Sequence, residues 1–138
     1  MPIERYLPAP SDLTCELHTQ LVKAGQALSD GEMKTFLLAR KAEDGGALEA
    51  GCKGEIAFRS AHISELWVAD SLRGQGVGSE LLAEAEALAR AQGCTRIHLE
   101  TRSEHAKRLY EKRGYTVFGE LPNYDGDISF YYLVKTLS

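Results

Sequence analysis

Residues 69–79 read Ala69-Asp70-Ser71-Leu72-Arg73-Gly74-Gln75-Gly76-Val77-Gly78-Ser79, and a run of good helix formers from Glu80 to Gln92 follows directly. Glycines at 74, 76 and 78, placed between an alternating apolar segment and a helix, let backbone amides approach and surround a small group. The first turn of a helix leaves N–H groups without intrahelical partners and carries a partial positive charge. The ligand that suits it is an anion, a phosphate or a diphosphate. Glycines alone suit a tight turn before a helix just as well, so the flanking sequence has to decide.

Downstream, Leu81, Leu82, Ala85, Leu88 and Ala89 fall on one face at the helical period, Glu86 and Arg90 stand i,i+4, and Gly93 is placed to close the helix. Arg96–Thr101 then alternates Ile97, Leu99 and Thr101 against His98 and Glu100, and a second helix, Glu104–Arg113, ends at Gly114. Tyr115–Leu121 and Ile128–Lys135 are β-branched and aromatic runs around the turn-prone Pro122-Asn123-Tyr124-Asp125-Gly126, which predicts a terminal hairpin. Upstream, His62–Val68 alternates, with Leu66 and Val68 on one face and Ile63, Glu65 and Trp67 on the other. Met33–Arg40 and Ala47–Phe58 read as two strands joined through Asp44-Gly45-Gly46, with Gly51 and Gly54 marking a bulge or bend in the second. In residues 1–31, Leu13, Leu17, Leu21 and Leu28 predict one or two helices, with Ser11 or Asp12 as N-cap. This order predicts an α/β sandwich with a mixed sheet. A doubly wound parallel sheet needs more βα alternation than the first half supplies.

The chain has 138 residues, 16 Lys+Arg against 20 Asp+Glu for a net charge of −4, and 43% hydrophobic residues. A chain of this size buries about 70% of its unfolded surface in one core, so a single domain, 1–138, is expected. The acidic balance weighs against nucleic-acid binding through phosphate neutralisation. No stretch approaches the roughly 20 apolar residues of a membrane span, and no leader peptide is seen. Cys15, Cys52 and Cys94 show no C-x-x-C spacing, which predicts buried thiols in a reducing, cytoplasmic setting. His18, His62, His98 and His105 form no H-x-x-H or H-x-x-x-H pair, so no metal is expected.

Two familiar phosphate loops fail. A Walker loop requires a lysine that follows none of these glycines, and a dinucleotide fingerprint requires glycine or alanine at Ser79 or at Leu81. What remains is R-x-x-G-x-G, here Arg73, Gly76 and Gly78. It resembles the acetyl-coenzyme-A loop of the GNAT superfamily of N-acetyltransferases. Glu65-Leu66-Trp67-Val68 is similar to that family's fourth strand, and Ala106–Tyr115 resembles its A-x-x-L-Y-x-K-x-G-[FY] segment. Residues 60–120 carry the likeness, and the rest agrees in element order.

The resemblance implies a mixed, mostly antiparallel sheet with helices on both faces and two splayed parallel central strands, 62–69 and 96–101. The pantetheine arm of acetyl-CoA would lie between them, bonding the backbone near Trp67 and Val68. Its diphosphate would meet the amides of Gln75, Gly76, Val77, Gly78 and Ser79, with Arg73, beside Gly74, as a nearby cation. The acceptor would be a primary amine attacking the thioester directly in a ternary complex, with an N–H near Val68 receiving the oxyanion. Tyr110 resembles the family's general acid. A phenol of pKa about 10 stays protonated at neutral pH and can donate to a thiolate whose conjugate acid lies near 8.5, although Tyr110 beside Leu109 also suits packing against the sheet. Glu65 is the candidate base, directly or through water; Glu100 and His98 are weaker ones. Ser103 stands where the family often has asparagine, and its hydroxyl could still contact the pantetheine. Asp125, Asp127, Tyr124, Tyr131 and Tyr132 in the terminal hairpin could attract a cationic acceptor, and an edge strand there would support a homodimer. A non-catalytic acyl-CoA-binding sensor is the alternative that a phosphate loop alone would equally fit.

Overall fold

A computed structural model describes residues 2–29 and 31–138. The chain divides into two compact units, Met1–Met33 and Lys34–Ser138, each described by itself. In the first, the helix α1 spans Ser11–Lys23 and sets Leu13, Leu17 and Leu21 at i,i+4 spacing, while Leu28 lies beyond it. Its N-cap residue is Pro10, not Ser11 or Asp12, and no side chain caps it. Thr14 N–H donates to the Pro10 carbonyl, so Ser11 is already in the first turn.

The second unit is a six-stranded sheet. Its strands are β1 (Lys34–Lys41), β2 (Leu48–Ala57), β3 (Ser60–Val68), β4 (Arg96–Thr101), β5 (Thr116–Asp125) and β6 (Ile128–Thr136), in the spatial order β1-β2-β3-β4-β6-β5. Every neighbouring pair is antiparallel except β3 and β4. The helices α2 (Val77–Ala91) and α3 (Glu104–Lys112) follow β3 and β4. Ile97, Leu99 and Leu133 are almost wholly buried among Leu81, Leu82, Ala85 and Ala89 of α2. Each large side chain so buried contributes about 1.5–3 kcal/mol. Tyr131 on β6 meets α3, and Lys135, four residues on and therefore on the same face, meets α2, so both helices of this unit cover one face. Among the described residues no helix is long and apolar enough to cross a membrane.

Three local readings change. The bulge signalled by Gly54 adds its extra residue to β3: Lys53 pairs with Glu65 and Gly54 with Ile63, leaving Ser64 unmatched. One inserted residue reverses the alternation, so Ile63 is buried on the same face as Leu66 and Val68, and not with Glu65 and Trp67. Glu86 does not pair with Arg90. It sits one position from core-facing Ala85 and is buried, accepting from Tyr115 Oη at 3.0 Å and Lys135 Nζ at 2.8 Å. The terminal turn is tighter than expected, since β5 continues past Pro122 with a register break between Leu121 and Asp125, and Gly126-Asp127 make the connection. Proline is tolerated because β5 is an edge strand.

Candidate active site

β3 and β4 are paired only at Ser60–Arg96, Ala61–Ile97 and His62–His98, after which the strands part. Along β3 the backbone polar groups of successive residues point to opposite edges. Ala69 N–H donates to Glu49 O on β2 at 2.8 Å, so those of Leu66 and Val68 point into the opening. Trp67 and Val68 thus line it in different ways: Val68 packs against the core and offers its main chain, while the Trp67 side chain lies half exposed on the far face.

At the mouth of the opening, one turn of 3-10 helix, Asp70–Leu72, leads to Gly74 (φ +77°) and Gly76 (φ +82°), left-handed conformations that a side chain would strain. Gly76 is the N-cap of α2, and no side chain caps it. The first helical bond is Glu80 N–H to Gly76 O at 3.0 Å, leaving Val77, Gly78 and Ser79 N–H without helical acceptors. Arg73 is strapped across the loop, Nε donating to Val68 O at 3.2 Å and Nη1 2.8 Å from the Asp70 carboxylate. Gln75 Nε2 donates to Ser71 O.

A second cation escaped the sequence reading. Arg113 Nε donates to Ser79 Oγ at 2.9 Å, tying the C-terminal end of α3 to the N-terminus of α2. Nothing local marks a position 34 residues from Ser79 as part of the loop.

Tyr110, on α3, is partly buried against the core with its ring 6.0 Å from that of Tyr115. Among the described residues none hydrogen-bonds its hydroxyl. Burial, with nearby Cys52 adding to it, raises the phenol above its ordinary pKa, so it holds its proton more firmly. Buried Cys52 is itself pushed up to about 11, leaving an inert thiol; Cys94 is buried too, but Cys15, on the exposed helix α1, is not, against the expectation of three buried thiols. Glu65 is largely exposed, 3.7 Å from Lys53 Nζ. Ser103 is the N-cap of α3, and its Oγ accepts from Ala106 N–H at 3.1 Å. Ser103→Ala is expected to lower stability by about 1 kcal/mol in urea denaturation; an unchanged midpoint would show that the cap contributes nothing.

The hairpin residues do not form one cluster. Tyr131 is buried under α3, hydrogen-bonded to Glu104 with Lys107 Nζ 4.8 Å from its ring centroid. Tyr124, Phe130, Tyr132 and Phe118 stack along the opposite face, and Asp125 reaches Arg102 at 4.0 Å. That face also carries Glu55, His62, His98 and Glu100 across β2, β3 and β4. A cavity of about 390 Å³ lies there between Ser60, Arg96, His98, Phe118 and Val134.

Residues 4–115 match the family model described as Acetyltransferase (GNAT) family. The blasticidin-S acetyltransferase of Streptomyces morookaense is 38% identical over 93 residues, 67% of this chain and 68% of that protein. Acetyltransferase Atu2258 of Agrobacterium fabrum is 36% identical over 78 residues, 56% of this chain and 57% of that one. The crystal structure of an acetyltransferase from Bacillus cereus superposes with a TM-score of 0.83 at 29% identity, covering 99% of this chain and 98% of the other.

Proposed function

The chain belongs to the acetyltransferase (GNAT) family, and from that premise we propose that residues 1–138 act as a single N-acetyltransferase domain that moves acetyl from acetyl-CoA to a primary amine in a ternary complex. The observation that carries the reading is the parting of two parallel strands beside a loop whose helical amides have no partners. Such an opening suits an extended amide-bearing arm, which adds to the free edge of β3 near Leu66 and Val68. The amides of Gln75, Gly76, Val77, Gly78 and Ser79 suit the diphosphate, with Arg73 and Arg113 supplying positive charge at its rim.

The neutral amine attacks the thioester carbonyl carbon, and a β3 N–H near Val68 receives the oxyanion. The C–S bond then breaks, the departing thiolate takes the Tyr110 hydroxyl proton, and the proton shed by the acylated nitrogen returns through water to the phenolate. Glu65, exposed on the far face of β3, takes the acceptor's ammonium proton through water. No step in this sequence calls on a metal. Likeness to an enzyme named for blasticidin S makes small-molecule amines the first acceptors to screen, before protein amines. Abundant acetyl-CoA and free thiols suit a cytoplasmic setting, and the β5 edge is the surface on which a homodimer would pair.

Calorimetry with acetyl-CoA, CoA and ATP tests the reading. Acetyl-CoA and CoA are expected to bind and ATP to bind far more weakly; tight ATP binding without a response to CoA rejects it. Thiol release across an amine panel then separates an enzyme from a silent acyl-CoA sensor.

A further inference from the structure

Acetyl transfer leaves unused a polar cluster on the face away from α2 and α3. His62 and His98 oppose one another on the last paired rung of the parallel strands, with ring centroids 4.8 Å apart and an interplanar angle of 22°. His62 Nε2 lies 2.7 and 3.0 Å from the two Glu100 oxygens, and its Nδ1 is 3.5 Å from Glu55 Oε1. The other Glu55 oxygen is shut off from solvent with no hydrogen-bond partner among the described residues. One donor atom each from His62, His98 and Glu100 falls within 4.8 Å of the other two.

We propose that His62, His98 and Glu100 bind one divalent cation of the zinc class, with Glu55 behind His62 as its orienting carboxylate. Two imidazoles and a carboxylate with one position open to water form a donor set that suits such an ion. In a tetrahedral site with bonds of about 2.0–2.2 Å, donors stand about 3.3 Å apart. The His62 and Glu100 donor atoms, 2.7 Å apart, have to open by about 0.6 Å, and His98 has to turn out of its stack. Glu55 Oε1, 3.5 Å from His62 Nδ1 and so just outside hydrogen-bond reach, would close on Nδ1–H as the metal takes Nε2, the usual role of a carboxylate behind a metal-binding histidine. The cation takes the place of the proton that would otherwise sit between His62 Nε2 and Glu100. His98 lines the open cavity, which gives the ion a way in. On the rung where β3 and β4 part, the ion would pin the base of the opening while taking no part in the acetyl-transfer chemistry itself.

The test uses the full chain, stripped with a chelator, titrated with Co²⁺ by absorption spectroscopy and with Zn²⁺ by calorimetry. One equivalent is expected, with visible Co²⁺ bands of four-coordinate intensity. His98→Gln and Glu100→Gln should weaken binding by at least about 100-fold, and Glu55→Gln, which removes no ligand, by about tenfold. Near-UV circular dichroism checks that each variant is folded, and the nearly isosteric Glu55→Gln keeps the test decisive if His98→Gln is not. Failure of the parent chain to bind, or binding unchanged in a His62→Gln/His98→Gln double variant, overturns the proposal. Acetyl-CoA affinity, measured separately, tests the acetyltransferase reading and not this one.

Discussion

Tyr110→Phe is expected to lower the turnover of acetyl transfer by about 10²-fold, equivalent to about 2.7 kcal/mol of lost transition-state stabilisation. The reason is specific to the hydroxyl. It has no protein partner among the described residues, so its removal strands no donor or acceptor and leaves stability within about 0.5 kcal/mol of the parent. Affinity for acetyl-CoA should be nearly unchanged, because the diphosphate and pantetheine contacts proposed above lie on the loop and on β3. The sign of the pH effect follows from the same burial. A general acid works while protonated, and this phenol is raised above its ordinary pKa of 10.0. Tyr110 therefore imposes no alkaline limb below about pH 10. Unchanged turnover in the variant, or a limb near neutrality that disappears with the hydroxyl, would remove Tyr110 from the role.

Gly54→Ala should destabilise the fold by about 3 kcal/mol or more, lowering the melting temperature by about 10 °C or more for a chain of this size. A Cβ built at Gly54 would stand 2.1 Å from the His62 carbonyl oxygen and 2.6 Å from two ring carbons of Phe36. The ring could give way, but the carbonyl belongs to the rung that starts the β3–β4 opening and cannot move without disturbing it. Loss of cofactor affinity should accompany loss of stability. A variant melting within about 2 °C of the parent would show that the bulge tolerates a side chain and that its tightness does not fix the cleft.

The glycine loop and the elements around it were legible because their signals are local: a helical apolar period, a strand alternation and three closely spaced glycines all fall within a few residues. Element order, together with the two motifs flanking the loop, was enough to place the mixed sheet and its parallel pair. Side-chain direction on β3 was not legible, because a bulge shifts parity by one residue and the opposing Gly54 showed only that something irregular was near. Glu86 carried a helix-surface pattern, and only the approach of Tyr115 and Lys135, 29 and 49 residues on, reveals it as a buried acceptor. Arg113 joins the loop through tertiary packing, and His62 meets His98 through parallel register. Spacing rules for metal ligands, built on single helices and tight loops, do not detect that kind of pairing. Ser103 also caps its own helix, a structural role the sequence reading did not assign, and its hydroxyl keeps a proton to donate to the pantetheine.

The most direct measurement follows the backbone amide resonances of Gly76, Val77, Gly78 and Ser79 by ¹⁵N–¹H correlation spectroscopy as acetyl-CoA is added. If these N–H groups take up the diphosphate, they shift together, saturate with the calorimetric affinity, and move in the same direction with CoA. Saturated binding with these four signals unmoved, and the shifts confined to other parts of the chain, would contradict the account.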